Sequence, residues 1–237
     1  MKKVIHRAES RGHANHGWLK ANHSFSFASW YNPERINFGA IRVLNDDTIA
    51  PGAGFPTHPH DNMEIITIPL SGVLEHKDSM GNVAQIKTGE VQVMSAGTGV
   101  THSEYNGSQT EELKLFQIWL FPNKKNVTPR YDELKLNLED HKNRFQQILS
   151  PSPDDEGVWI HQDAWMHMIS LDPDTVNDYR LKNPSNGVYI MVIEGNVEID
   201  GDQLKHRDAM GVVESDTIHI RATSKSDLLL IEVPMQF

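Results

Sequence analysis

His58-Pro59-His60, answered further along the chain by His102-Ser103-Glu104, is the stretch from which the fold can be read. In an extended strand, residues i and i+2 project from one face, so each triplet presents two ligand-type side chains together. If the two segments are neighbours in a sheet, three imidazoles and one carboxylate converge on a point. That donor set suits a borderline transition metal.

The flanking sequence carries the punctuation that such strands require. Short runs rich in β-branched and apolar residues recur at 40–44, 64–69, 91–94 and 115–121, each closed by Gly, Pro, Asn or Asp. Ser71-Gly72, Met80-Gly81-Asn82 and Lys87-Thr88-Gly89-Glu90 have the composition of turns. Sustained helical periodicity is largely missing, and an all-β fold is expected. Residues 122–157 change character, with Pro122, Pro129, Pro151 and Pro153 around the charged run Glu139-Asp140-His141-Lys142-Asn143-Arg144. This segment reads as an interdomain connection with one short helix.

Beyond it the early pattern returns. Tyr189-Ile190-Met191-Val192-Ile193-Glu194-Gly195-Asn196-Val197-Glu198-Ile199 echoes Ile66-Thr67-Ile68-Pro69-Leu70-Ser71-Gly72-Val73-Leu74-Glu75, and Ala209-Met210-Gly211-Val212-Val213 falls near the counterpart of Glu90-Val91-Gln92-Val93-Met94. An internal duplication is the economical explanation. The second copy has no His-x-His at the matching place, so one working site is expected.

Composition excludes several classes of function. With 22 Lys and Arg against 32 Asp and Glu, the 237-residue chain carries a formal charge of −10, which disfavours nucleic acid or an anionic membrane as a direct partner. There is no cysteine, which leaves no disulfide, thiolate ligand or thiol nucleophile, so any metal must be held by nitrogen and oxygen. No apolar run reaches the roughly 18 residues of a membrane span, and no apolar stretch follows the charged start Met1-Lys2-Lys3. A soluble, cytoplasmic protein is expected. Of the scattered histidines, His76 and His161 read as surface or packing residues.

The two histidine blocks sit in a wider pattern. The first runs from Gly52 through His58, His60 and Glu64 to Gly72; the second runs from Gly89 through Ser95-Ala96-Gly97-Thr98-Gly99 to His102 and Asn106. Together they resemble the two motifs of the cupin superfamily. They depart from it in having Ser95 where proline is usual, one extra residue between Glu64 and Gly72, and two between Gly97 and His102. With Arg11-Gly12-His13, Gly17-Trp18-Leu19, His23-Ser24-Phe25-Ser26-Phe27-Ala28, Tyr31-Asn32-Pro33, Asn45-Asp46-Asp47 and Thr128-Pro129-Arg130-Tyr131, the chain resembles the pirin family, most closely bacterial pirins that cleave the flavonol quercetin.

The resemblance implies a bicupin: two antiparallel jelly-roll β-barrels packed face to face. Residues 1–130 would form the N-terminal barrel with the metal site, and residues 131–237 the connection and a C-terminal barrel without metal ligands. It implies one divalent transition metal ion, Fe(II) first, with Ni, Co, Cu, Mn or Zn matching the same donors, held by His58, His60, His102 and Glu104. Glu104 would also act as the catalytic base. Cupins outside this branch use the acid at the Glu64 position, and Glu64 shares the parity of His58 and His60 if their strand continues unbroken.

The implied activity is a quercetin 2,3-dioxygenase reaction, with a flavonol and O2 as partners and carbon monoxide as a product. The alternative is a non-enzymatic, pirin-like metal or redox sensor that binds a regulatory partner. A monomer is expected, because a bicupin contains internally the pairing that single cupins obtain by dimerising.

Overall fold

The computed structural model describes residues 1–237 apart from the side chain of Leu138. Strands dominate, and the helical segments among the described residues are the two short 3₁₀ turns Ala8–Ser10 and Leu138–His141. Among the described residues, no helix is long and apolar enough to cross a membrane.

The chain forms two compact units, and their boundaries differ from a cut after residue 130. One unit is Gly12–Leu136 with Ile160–Gln162; the other is Met1–Arg11, Asn137–Trp159 and Asp163–Phe237. Backbone pairing is the reason. The strand Lys2–His6 pairs with Ala209–Val213, which places the first residues in the C-terminal unit. The strand Arg130–Lys135 pairs with Glu90–Ser95, which keeps it in the N-terminal unit. The segment 122–157 is therefore more than a connection, since it also contains the strand Gln146–Ser150. Arg130–Lys135 escapes the sequence pattern because it is an edge strand, half-buried and rich in charge.

Each unit is a pair of sheets, seven strands and four. In the N-terminal unit the larger sheet runs Arg130–Lys135, Glu90–Ser95, Glu64–Ser71, Leu113–Leu120, Ile41–Ile49, Leu19–His23 and Gly12–Asn15. The smaller sheet runs Gly54–His60, Val100–Asn106, Val73–Asp78 and Val83–Lys87. The C-terminal unit repeats the plan, with Lys2–His6, Ala209–Val213, Asn186–Glu194, Ser226–Pro234, Trp165–Leu171, Gln146–Ser150 and Val158–Trp159 in one sheet. Val176–Arg180, Thr217–Ala222, Asn196–Ile199 and Asp202–Lys205 form the other. Pairing between these strands is antiparallel except between Gln146–Ser150 and Val158–Trp159.

The echo in the sequence corresponds to equivalent places in the two units. Gly72 joins Glu64–Ser71 to Val73–Asp78, as Gly195 joins Asn186–Glu194 to Asn196–Ile199, with φ of 85° and 84°. A one-residue link that carries the chain from the larger sheet to the smaller uses this left-handed backbone in both units, which glycine adopts without steric cost. Gly97 of the Ser95-Ala96-Gly97-Thr98-Gly99 segment has a second constraint: a Cβ there would lie 2.1 Å from the Val127 carbonyl oxygen. That close approach holds the loop leading into Val100–Asn106, the strand that carries His102.

Candidate metal centre

The site is built in the N-terminal unit, with the smaller sheet supplying its imidazoles. His58 and His60 alternate with Pro59 on the edge strand Gly54–His60, and His102 stands directly opposite His58 in the antiparallel register. The ring centroids are 4.4 Å apart for His58 and His102, 4.9 Å for His58 and His60, and 5.0 Å for His60 and His102. One ring nitrogen from each of the three lies within 4.8 Å of the others. The register shifts between His102 and Glu104, so Glu104 pairs with Phe55. Such a bulge re-aims the side chains on either side of it.

Polar satisfaction shows what the rings are arranged for. His102 is 1% exposed, and neither of its ring nitrogens has a hydrogen-bond partner. Buried polar groups are paired in nearly every native site, so a bare imidazole marks a place for something else. The Nδ1–H of His58 donates to the Pro56 carbonyl at 2.8 Å, which leaves Nε2 with its lone pair free. Burial, then the His58 ring, pushes His60 down to about 4. Burial, then His58, His60 and His76, pushes His102 down to about 3. Both rings are thus neutral at pH 7, the form that binds a metal. The donor set therefore fits a divalent transition ion.

Glu104 is 4% exposed, and the Gln117 amide donates to both its oxygens at 3.1 Å. The Thr67 hydroxyl reaches it at 3.5 Å. Burial raises its carboxyl above the ordinary range, and the Gln117 hydrogen bonds oppose that rise. Glu104 forms a second compact donor group with His102 and His76, so two overlapping groups share His102.

His76 is packed rather than at the surface, one of the two readings its sequence left open. It is buried on Val73–Asp78, with Nε2 3.1 Å from Asp78, Nδ1 3.2 Å from the Gln92 amide, and its ring stacked on Tyr131 at 4.8 Å. The inward alternation of Leu74, His76 and Asp78 was the available signal.

Glu64 stands apart. The chain turns at Asn62, with φ of 44°, and Glu64 opens a strand of the larger sheet, so it does not continue the parity of His58 and His60. It is buried, accepts from the Ser95 hydroxyl at 2.6 Å, and is pushed up to about 7, chiefly by burial.

The facing sheet contributes a transverse polar row. His23, Asn45, Gln117, Thr67 and Gln92 are successive register partners across five strands. Three of them reach toward the imidazole sheet: Gln117 and Thr67 hold Glu104, and Gln92 meets His76. Between the sheets lies a cavity of about 190 Å³, lined by the three imidazoles and Glu104 on one side and by Asn45, Asp47 and Gln117 on the other.

Comparison with known proteins agrees with this architecture. Residues 4–120 match the Pirin family model, and residues 147–233 match that of the quercetinase C-terminal cupin domain. The chain is 44% identical over 230 residues to a quercetin 2,3-dioxygenase of Escherichia coli K12, covering 97% of this chain and 98% of that one. It superposes on the crystal structure of YhhW from Escherichia coli with a TM-score of 0.94 and 42% identity over 100% of both chains. The nickel(II) complex of that bacterial pirin matches with a TM-score of 0.93 and 42% identity, over 98% of this chain and 99% of the other. With two cupin-type units, imidazoles disposed for a divalent metal and relatives matched end to end, the chain belongs to the pirin family.

Proposed function

We propose that the protein is a metal-dependent dioxygenase that opens the central ring of quercetin or a related flavonol, with a divalent ion held by His58, His60, His102 and Glu104. Fe(II) is the first candidate, and Ni, Co, Cu, Mn and Zn suit the same donors. The observation that carries the reading is His102, buried between two other imidazoles with both ring nitrogens unpartnered.

The bound ion would supply Lewis acidity toward the flavonol 3-hydroxyl and a place for O2. The chain's own residues do the rest. His58, fixed by the Pro56 carbonyl, presents Nε2, while His60 and His102 stay neutral and hold the geometry. Glu104, oriented by Gln117, takes the 3-hydroxyl proton. Aromatic and aliphatic walls, Phe27, Phe55, Ile65 and Trp119, exclude water from a planar substrate. In the overall balance both oxygen atoms enter the organic product, and one carbon leaves as carbon monoxide.

The test is oxygen uptake together with loss of the flavonol absorbance band, using protein reconstituted separately with each metal. Turnover that vanishes in His58→Ala is the expected result. Tight metal binding without flavonol turnover would move the assignment to the metal-sensor reading. Metal analysis of Glu104→Ala and Glu64→Ala decides the acid: stoichiometric metal should be lost in the first and kept in the second.

A further inference from the structure

Asp47 is a buried acid that the proposed chemistry leaves without a role. It lies on Ile41–Ile49 in register with Ala21 and Leu115, two residues from Asn45 on the same inward face. It is 4% exposed, lines the cavity opposite the imidazoles, and its Oδ1 has no hydrogen-bond partner. It is absent from both compact donor groups.

The protein treats its other buried acids differently. Glu232 of the C-terminal unit accepts from the Tyr179 hydroxyl, the Lys182 and Asn183 backbone amides and the Asn186 side chain, at 2.9 to 3.0 Å. Glu104 has Gln117 and Thr67, Glu64 has Ser95, and Asp208 has Arg7 and the Ala8 amide. A fold that provides donors for each of these leaves Asp47 bare where the cavity is open to a ligand. Burial, then Asp46 and Glu104, pushes its carboxyl up to about 8, so at neutral pH it is an acid able both to donate and to accept.

The rest of the wall is flat and apolar. Phe55 meets Trp18 edge-on at 5.1 Å, and Phe27 meets Trp119 edge-on at 5.5 Å. A groove over Ala14, Trp18 and Ala28 shares Phe27 and Phe55 with the cavity and extends it. The opening therefore suits a planar ring system with a polar substituent at the end that Asp47 meets.

Building on the flavonol reading, we propose that Asp47 anchors the substrate, hydrogen-bonding a ring hydroxyl of a planar polyphenol whose opposite edge faces the imidazoles. Asp47 acts through the ligand and belongs to neither compact donor group.

The test is anaerobic fluorescence titration of metal-loaded wild type and Asp47→Leu with quercetin and with 3-hydroxyflavone, which keeps the metal-facing edge and lacks the other hydroxyls. Wild type should prefer quercetin by about tenfold or more, and the preference should shrink to within about threefold in the variant, with 3-hydroxyflavone binding and metal content unchanged. The melting midpoint of the metal-free variant should rise, because a bare buried acid has been removed.

Equal weakening of both ligands, a lowered midpoint or a variant that does not fold would each make Asp47 structural and overturn the inference. Catalytic turnover with undiminished quercetin preference in Asp47→Leu would overturn the inference and leave the dioxygenase reading standing. Failure of wild type to bind either flavonol would overturn both.

Discussion

Val100–Asn106 and Thr217–Ala222 hold the same place in their four-stranded sheets, yet one carries His102, Glu104 and Asn106 inward and the other Ile218, Ile220 and Ala222. The register makes the correspondence exact in kind: Glu104 pairs with His76 and Asn106 with Leu74, as Ile220 pairs with Ile199 and Ala222 with Val197. The larger sheets differ in the same sense. Where the N-terminal unit has the row Asn45, Gln117, Thr67 and Gln92, a row of the C-terminal sheet reads His167, Leu230, Ile190 and Met210. Leu230, Ile190 and Met210 join Val197, Ile218 and Ile220 in one apolar cluster. The same architecture thus either fills its interior with hydrocarbon or keeps a polar cavity. The difference resides in inward side chains, while the backbone plan is shared.

The widest separation between the units should come from His102→Ala. Metal analysis is expected to fall from about one ion per chain to near zero, whereas His167→Ala should keep the full complement. A milder change would push the N-terminal row toward its counterpart. Gln117→Leu imitates Leu230, releases Glu104, and should weaken metal binding by about 10–100-fold in a chelator competition.

The reverse comparison is one of stability. Leu230→Ala opens a hole in a filled core and should cost about 2–5 kcal/mol in urea denaturation with no effect on metal content.

The smallest effect is a pH dependence confined to the filled unit. Burial, then Lys182, pushes His167 down to about 4, so in the fold it is neutral while the unfolded chain takes up its proton below the ordinary value of 6.5. The unfolded state then binds more protons, so stability is full above 6.5 and is lost as pH falls toward 4. His167→Gln should remove on the order of 2 kcal/mol of the loss between pH 7 and pH 5, measured by denaturation at both values.

Much of the candidate site was legible because period-two alternation is a local property. His58 and His60 lie on one strand, His102 and Glu104 on another, and the two strands are paired. The runs at 64–69 and 91–94 lie within Glu64–Ser71 and Glu90–Ser95, because strands buried on both faces read as nearly continuous apolar stretches. Whether His76 lay at the surface or packed inside stayed open, because Glu75, Lys77 and Asp78 gave its strand a surface composition, although only Glu75 and Lys77 are exposed. Asn45-Asp46-Asp47 is part of the family resemblance, but nothing local places Asp47 or Gln117 opposite the imidazoles, since that arises from the packing of two sheets. The assignment of Lys2–His6 to the C-terminal unit is likewise nonlocal, because no pattern within five residues names a partner far down the chain.

That last pairing has a consequence for biosynthesis. On the ribosome, Lys2–His6 emerges before Gly12–Leu136 but cannot add to its sheet until Ala209–Val213 has been made, whereas Gly12–Leu136 already holds the paired strands of both its sheets. Lys2–His6 must therefore wait as a tethered, unpaired strand while the unit with the candidate site matures behind it. Closing that long loop is a late event of high contact order.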